Sequence, residues 1–428
     1  MTAAVQGIER RIVASGAMAH AMTHALELTF AALLVRVGLE YGADLALLGV
    51  VANVGTVTFG TTALPSGFLT DRFGPRAIIT WCMAGAAVFA FAVAAAPNLF
   101  VFAVFLSLLG AALGLYHPAG TSMVATVVER RGMAFAAHGI AGNIGVGAVP
   151  AIAIGISIAT DWRMAYVVLG IAALGVALVV RTLAPSKEEV IDASQRASRS
   201  RVMAATGLAR PRSTPPEVRT WFTRPLLVIY VCSIGTGFIY RGSLTFLEKH
   251  LEEHLGIELF GWSPEAVAGA MTSIALLTAV LGQAAGGWLS DRFPLEWVVA
   301  PVLGLAAPSL LLMSTVGGIA LLIFTATFVI ANFGQQPIIN GLIADYAPEG
   351  AGGRAFGLSF FLVFGVGSMA GTICGVVANA QGTSAAFGLL AAVSAGIGLV
   401  AVMLTVGAAR RSRAVVIEPA LQTPSGGE

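Results

Sequence analysis

Long, nearly uncharged apolar runs recur along the whole chain, and they constrain its fold more than any single motif does. Each is about twenty residues long, the length of helix that crosses the hydrocarbon core of a bilayer. Lipid offers no hydrogen-bond partner to a backbone N–H or C=O. Such runs must satisfy those groups internally, as helices rather than open sheet. Hydrophobic residues make up 57% of the 428 and charged residues 11%, against the roughly one quarter charged in soluble domains. The 51 glycines suit helices that approach one another closely in lipid. We therefore expect an all-α membrane protein.

The runs place spans at 12–37, 45–69, 77–96, 99–126, 133–158 and 163–184, then at 224–247, 264–289, 296–315, 317–343, 355–378 and 384–409. Residues 1–184 and 224–409 read as two six-helix bundles, and 410–428 as a tail. The segment 185–223 is rich in Arg, Ser and Pro (Arg196, Arg199, Arg201, Arg210, Pro211, Arg212, Pro215, Pro216) and reads as a solvated linker. Basic residues collect on one side: Arg10, Arg11, Arg72, Arg76, Arg130, Arg131, the linker, Arg292, Arg354, Arg410, Arg411 and Arg413. Both termini are therefore expected to be cytoplasmic, in a cell inner membrane. The opposite side carries Arg163, Lys249 and an acidic loop with Glu248, Glu252, Glu253 and Glu258, whose His250 and His254 read as solvated. The first run holds His20, His24 and Glu27 and reads as a retained helix rather than a signal peptide. A formal charge of +2 without a basic domain gives no sign of a nucleic-acid partner. Cys82, Cys232 and Cys374 each fall inside a span and read as small core residues.

A short polar turn, Gly67-Phe68-Leu69-Thr70-Asp71-Arg72-Phe73-Gly74-Pro75-Arg76, separates the second and third runs. It returns 220 positions later as Gly287-Trp288-Leu289-Ser290-Asp291-Arg292-Phe293, with Pro294 where the repeat would place Gly74. One unit of six helices, duplicated, explains both copies. The first copy resembles the signature G-x-L-x-D-R-x-G-x-R between the second and third helices of the major facilitator superfamily. Asp161-Trp162-Arg163 and Glu129-Arg130-Arg131-Gly132 look like other recurring loops of that family. The resemblance implies twelve transmembrane helices in two pseudo-symmetric bundles that rock about a site at the membrane midplane. It implies that spans 3, 6, 9 and 12 face lipid and that spans 1, 4, 5 and 7 line a cavity. It also implies a conformational latch from Gly67, Asp71, Arg72, Gly74, Arg76, Asp291 and Arg292, with the Asp71 carboxylate near a helix N-terminus. The span-1 histidine, Tyr116-His117-Pro118 and the Gly-rich fifth span are similar to the fosmidomycin-resistance branch of exporters.

Ionisable groups at membrane depth are costly unless they pair or reach water, so each marks a candidate site. His20, Thr23, His24 and Glu27 fall in one helical stripe of span 1. Glu27 is read as a coupling or substrate residue, or as a carboxylate neutralised for packing by a histidine or by Arg241. In span 4, Pro118 removes a backbone donor and should kink the helix beside Tyr116 and His117. Span 5 carries His138, Asn143 and a small-residue face, Gly139, Gly142, Gly145 and Gly147, suited to close packing. Tyr240 and Arg241 in span 7, and Gln335, Gln336 and Asn340 around Pro337 in span 10, complete the set. Arg241 needs a partner, and Glu27 is the expected one.

One acid, one Arg and four histidines suit a small anionic or zwitterionic organic solute. The first reading is a proton-coupled secondary transporter, with export ahead of import. The second is a transition-metal transporter using Met18, His20, Met22 and His24, soft and borderline ligands at helical spacing. No motif such as H-E-x-x-H supports a membrane enzyme. We expect no cofactor, and a monomer in the lipid bilayer with the solute and protons as its partners.

Overall fold

In the computed structural model, residues 3–43, 45–127, 131–193, 195, 223–259, 261 and 264–417 are described. The expectations for Glu129 and Arg130, for the linker arginines and prolines named above, and for the tail beyond Ile417 lie outside those residues. The first half contains α1 (Ala3–Tyr41), α2 (Leu45–Phe73), α3 (Pro75–Ala94), α4 (Leu99–Leu113), α5 (Tyr116–Val127), α6 (Arg131–Ala159) and α7 (Trp162–Leu183). A short helix, α8, follows at 187–193. The second half has α9 (Arg224–His254), α10 (Pro264–Leu277), α11 (Ala279–Arg292), α12 (Leu295–Met313) and α13 (Gly318–Tyr346). It continues as α14 (Gly352–Phe360), a π-turn at Phe361–Val366, a short 3-10 turn at Gly367–Met369, α15 (Ala370–Gln381) and α16 (Thr383–Ile417).

Ten helical stretches among the described residues are long and apolar enough to cross a membrane. The helices α1 and α2, at 39 and 29 residues, have the length but fall outside that ten. Large apolar side chains lie exposed on α3 (Trp81, Val88), α7 (Ile171, Leu178), α12 (Leu305, Leu311) and α16 (Leu399, Met403). A water-facing surface would not carry so much exposed apolar area. The third, sixth, ninth and twelfth runs, those expected to face lipid, are among the helices that expose such side chains, and α2 (Val50), α13 (Ile319) and α15 (Val376) expose them as well. Within each half the helices pack closely: α1 on α6, α3 on α7, α11 on α13 and α12 on α16. Across the two halves, α2 meets α14 and α6 meets α11.

Local chemistry sets the helix ends. Asn98 Oδ1 accepts the backbone N–H of Val101 at 3.0 Å and caps α4, and Asp161 does the same for α7 through Arg163 N at 2.7 Å. Gly74, at φ +84°, makes the turn that lets Pro75 open α3. The break expected at Pro118 falls one turn earlier, between Leu113 and Tyr116. Proline cannot donate to the carbonyl four residues back, so the ladder opens there. Ser66 Oγ donates to the carbonyl of Leu115 at 2.7 Å and so satisfies part of the opened backbone.

Two expectations are corrected. The start of the segment read as solvated linker is ordered: Glu189 pairs with Arg11 at 2.8 Å, and Lys187 Nζ donates to the carbonyls of Asp71 and Arg72 at 3.1 and 2.9 Å. Val190 and Ala193 are buried beneath it. The loop histidines are not solvated either. The seventh run continues helically to His254, which carries His250 into a fully buried position between the Thr383 hydroxyl and the carbonyl of Met313, both at 2.9 Å. An imidazole with both nitrogens satisfied can be buried cheaply, and charge counting along a loop does not reveal that.

Candidate functional site

The site is a cavity between the halves. It is walled by α1, α5 and α6 on one side, and by α9, α13, α14 and the π-turn on the other, and it offers about 100 Å³ to the centres of water molecules. On one wall His20 and His24 come from α1, His117 and Thr121 from α5, and His138 and Asn143 from α6. Opposite stand Tyr240, Gln335, Gln336, Asn340 and Ser359, framed by Phe333, Phe360 and Phe364. No carboxylate is among the lining residues.

The α1 stripe forms one continuous polar row. His20 Nδ1 lies 2.6 Å from the carbonyl of His138. A carbonyl only accepts, so His20 carries its proton on Nδ1 and presents a lone pair at Nε2. That nitrogen is 3.1 Å from His24 Nε2, and His24 Nδ1 is 2.7 Å from Glu27 Oε2. His20 stacks on His138 with ring centroids 4.1 Å apart and meets His117 edge-on at 5.0 Å. The ring of His20 fits because residue 142 is glycine: a Cβ there would stand 2.6 Å from His20 Cε1. The small-residue face of the fifth run therefore packs α6 against α1, as its glycines suggested.

His117 is gripped from the other half, stacked on Phe360 at 4.8 Å and Phe364 at 5.4 Å. Phe360 immediately precedes the π-turn and Phe364 lies within it, a distortion of a kind frequent at functional sites. His117 Nε2, His138 Nε2 and Asn143 Nδ2 are buried without a protein hydrogen-bond partner.

Three residues named from the sequence stand elsewhere. Tyr116 does not line the cavity; it is fully buried and donates its hydroxyl to the carbonyl of Gly16 at 2.5 Å. Arg241 does not line it, and no ion pair joins Arg241 to Glu27. The carboxylate of Glu27 is taken up by His24, one turn back on its own helix. A same-helix partner at three residues is always within reach, whereas a pair across two helices needs both side chains to converge. Conversely, the sequence reading passed over Gln283, which is 1% exposed and donates from Nε2 to Gln336 Oε1 at 2.7 Å. A lone amide inside an apolar run was the available signal. The framing phenylalanines and the π-turn carry no signal of their own.

The two copies of the polar turn do the same work. Asp71 accepts from the backbone N–H of Gly353 at 2.8 Å and of Arg354 at 3.2 Å, and pairs with Arg354 Nε at 2.7 Å. Asp291 accepts from Gly132 N at 2.9 Å and Met133 N at 3.1 Å. Each carboxylate thus caps the first turn of a helix belonging to the other half, where the dipole favours negative charge. Gly67 permits the approach, since a Cβ there would lie 2.4 Å from the carbonyl of Gly353. Arg72 and Arg292 lie over their neighbouring rings, Phe73 at 5.2 Å and Trp288 at 4.5 Å. Arg76 points to the carbonyl of Ala184 at 3.5 Å.

The family profile described as Major Facilitator Superfamily matches residues 13–263. Among curated proteins, the gentisate transporter of Corynebacterium glutamicum is 24% identical over 328 residues, covering 74% of this chain and 70% of that protein. A protein of Cupriavidus necator named "Probable sulfoacetate transporter" is 25% identical over 260 residues, 59% of this chain and 58% of its own length. Among solved structures, the proton:xylose symporter of the same superfamily superposes with a TM-score of 0.72 at 14% identity, covering 93% of this chain and 95% of that one.

Proposed function

The chain belongs to the major facilitator superfamily and is a transporter rather than an enzyme, and we propose that it moves a small organic anion or zwitterion across the membrane by alternating access. The observation that carries this reading is the set of nitrogens buried in the cavity wall without a protein partner. Asn143 Nδ2 and His138 Nε2 lack protein partners, Gln335 and Asn340 face them, and no carboxylate lines the space. A buried amide N–H without an acceptor is costly, and the oxygens of an anionic solute would satisfy it. Two relatives are named for organic anions, which agrees with a lining that contains no carboxylate.

Residues 1–184 and 224–409 are read as the two bodies that rock. The Asp71 and Asp291 caps are the contacts that must open on the cytoplasmic side. Export driven by protons is the direction and coupling we favour, on the likeness of Tyr116-His117-Pro118 and the glycine-rich fifth run to an exporter branch. Flux of a panel of small carboxylates and sulfonates in proteoliposomes, with and without an imposed pH difference, tests each part. Movement of none of them sinks the substrate class. Flux indifferent to the pH difference removes the proton.

A further inference from the structure

We propose that His20, His24 and His117 form a binding site for one divalent transition-metal ion of borderline softness, of the Zn²⁺ or Co²⁺ class. One ring nitrogen from each histidine lies within 4.8 Å of the others, and the His20 and His24 Nε2 atoms are already 3.1 Å apart. Tetrahedral coordination at about 2.0–2.1 Å requires ligand nitrogens roughly 3.3 Å apart. Only His117 has to close in, from within 4.8 Å of the other two nitrogens.

The groups behind the ligands make the case specific. Metal-bound histidines hold their other ring nitrogen against a carbonyl or carboxylate, which fixes the tautomer and aims the free lone pair. His20 Nδ1 is held by the carbonyl of His138 at 2.6 Å, and His24 Nδ1 by the carboxylate of Glu27 at 2.7 Å. Both therefore turn Nε2 toward the same point. The third member, His117, is 4% exposed and has an Nε2 without a protein partner. Three neutral imidazoles suit such ions and not the hard cations, which prefer oxygen. Because all three histidines line the cavity, the fourth coordination position faces it. Glu27 is thereby assigned a place behind His24 rather than opposite Arg241.

The test uses the full chain, purified in detergent, stripped with a chelator and dialysed against CoCl₂ or ZnCl₂. We expect one ion per chain and the strong visible bands of four-coordinate cobalt. His24→Gln and His117→Gln should each abolish stoichiometric binding, and Glu27→Gln should weaken it by about 10–100-fold. His254→Gln, remote from the cavity, should change nothing. Absence of a stoichiometric ion in the unmodified protein overturns the proposal, as does the pale spectrum of six-coordinate cobalt. Binding that survives in both His24→Gln and His117→Gln overturns it too. Solute flux measured in the presence of chelator reports on transport separately, so either reading can fail without the other.

Discussion

The carboxylate of Asp71 accepts the backbone N–H of Gly353 at 2.8 Å across 282 residues of sequence. Asp291 makes the reciprocal contact with Gly132, so two copies of one turn clasp two helix N-termini of opposite halves. Asp71 adds an ion pair to the Arg354 side chain at 2.7 Å, but the backbone N–H contacts are common to both. Each reads the backbone and its dipole.

Neutralising that carboxylate should loosen the clasp. An amide caps about as well as a carboxylate, so what is lost is the attraction of the charge for the helix dipole, about 0.3–1 kcal/mol, up to a roughly fivefold shift between closed and open forms. With Asp71→Asn, a cysteine placed at Asn340 in the cavity should react several-fold faster with a membrane-impermeant maleimide from the clasped side. An unchanged labelling rate in both Asp71→Asn and Asp291→Asn would show that these contacts do not hold the halves together.

Gly142→Ala should disable the site without unfolding the protein. The new methyl would stand 2.6 Å from the His20 ring, and overpacking of this kind costs about 1–3 kcal/mol. Solute flux should fall by tenfold or more with a Tm only a few degrees lower. Gly147→Ala is the control, because nothing lies within 4 Å of its Cβ position. Equal flux in the two variants would contradict the proposed seating of His20.

Outside the membrane spans, Arg163 clasps Glu40 at 2.5 Å and holds its carboxyl below the ordinary value of 4.5. A carboxyl depressed in the folded state stabilises above its unfolded pKa, and that contribution is lost as pH falls through the folded value. Thermal stability in detergent should therefore drop below about pH 4.5, and Glu40→Gln should make that acid limb shallower. Since the pair is about one-third exposed, the difference should be no more than about 1 kcal/mol. Superimposable acid limbs in the two proteins would rule the pair out.

His250→Leu should destabilise the end of α9 far more than His254→Leu. It strands the carbonyl of Met313 and removes one of two partners of the Thr383 hydroxyl, which also donates to Glu253, a cost of about 1–3 kcal/mol. A Tm lowered by several degrees is the expected result. Similar melting of both variants would mean that the buried imidazole is structurally idle.

Much of the molecule was legible without coordinates. Apolarity over twenty residues is a local property, and in lipid it leaves helix as the only solution for the backbone. The duplicated Asp-Arg turn pointed to paired halves, and the unbonded carbonyls ahead of Pro118 follow from one missing N–H. The cost of charge at depth singled out His20, His24, Glu27 and His117 before their neighbours were known.

Which groups those residues meet was settled only by packing. The pairing of Glu27 with His24 instead of Arg241, the withdrawal of Tyr116 onto Gly16, and the burial of His250 all depend on helix register. That register is set where backbones touch at glycines such as Gly67 and Gly145. The grip of Phe360 and Phe364 on His117 depends on a π-turn that redirects side chains within one helix. Convergence of this kind is a property of several helices at once, and no single stretch of sequence contains it.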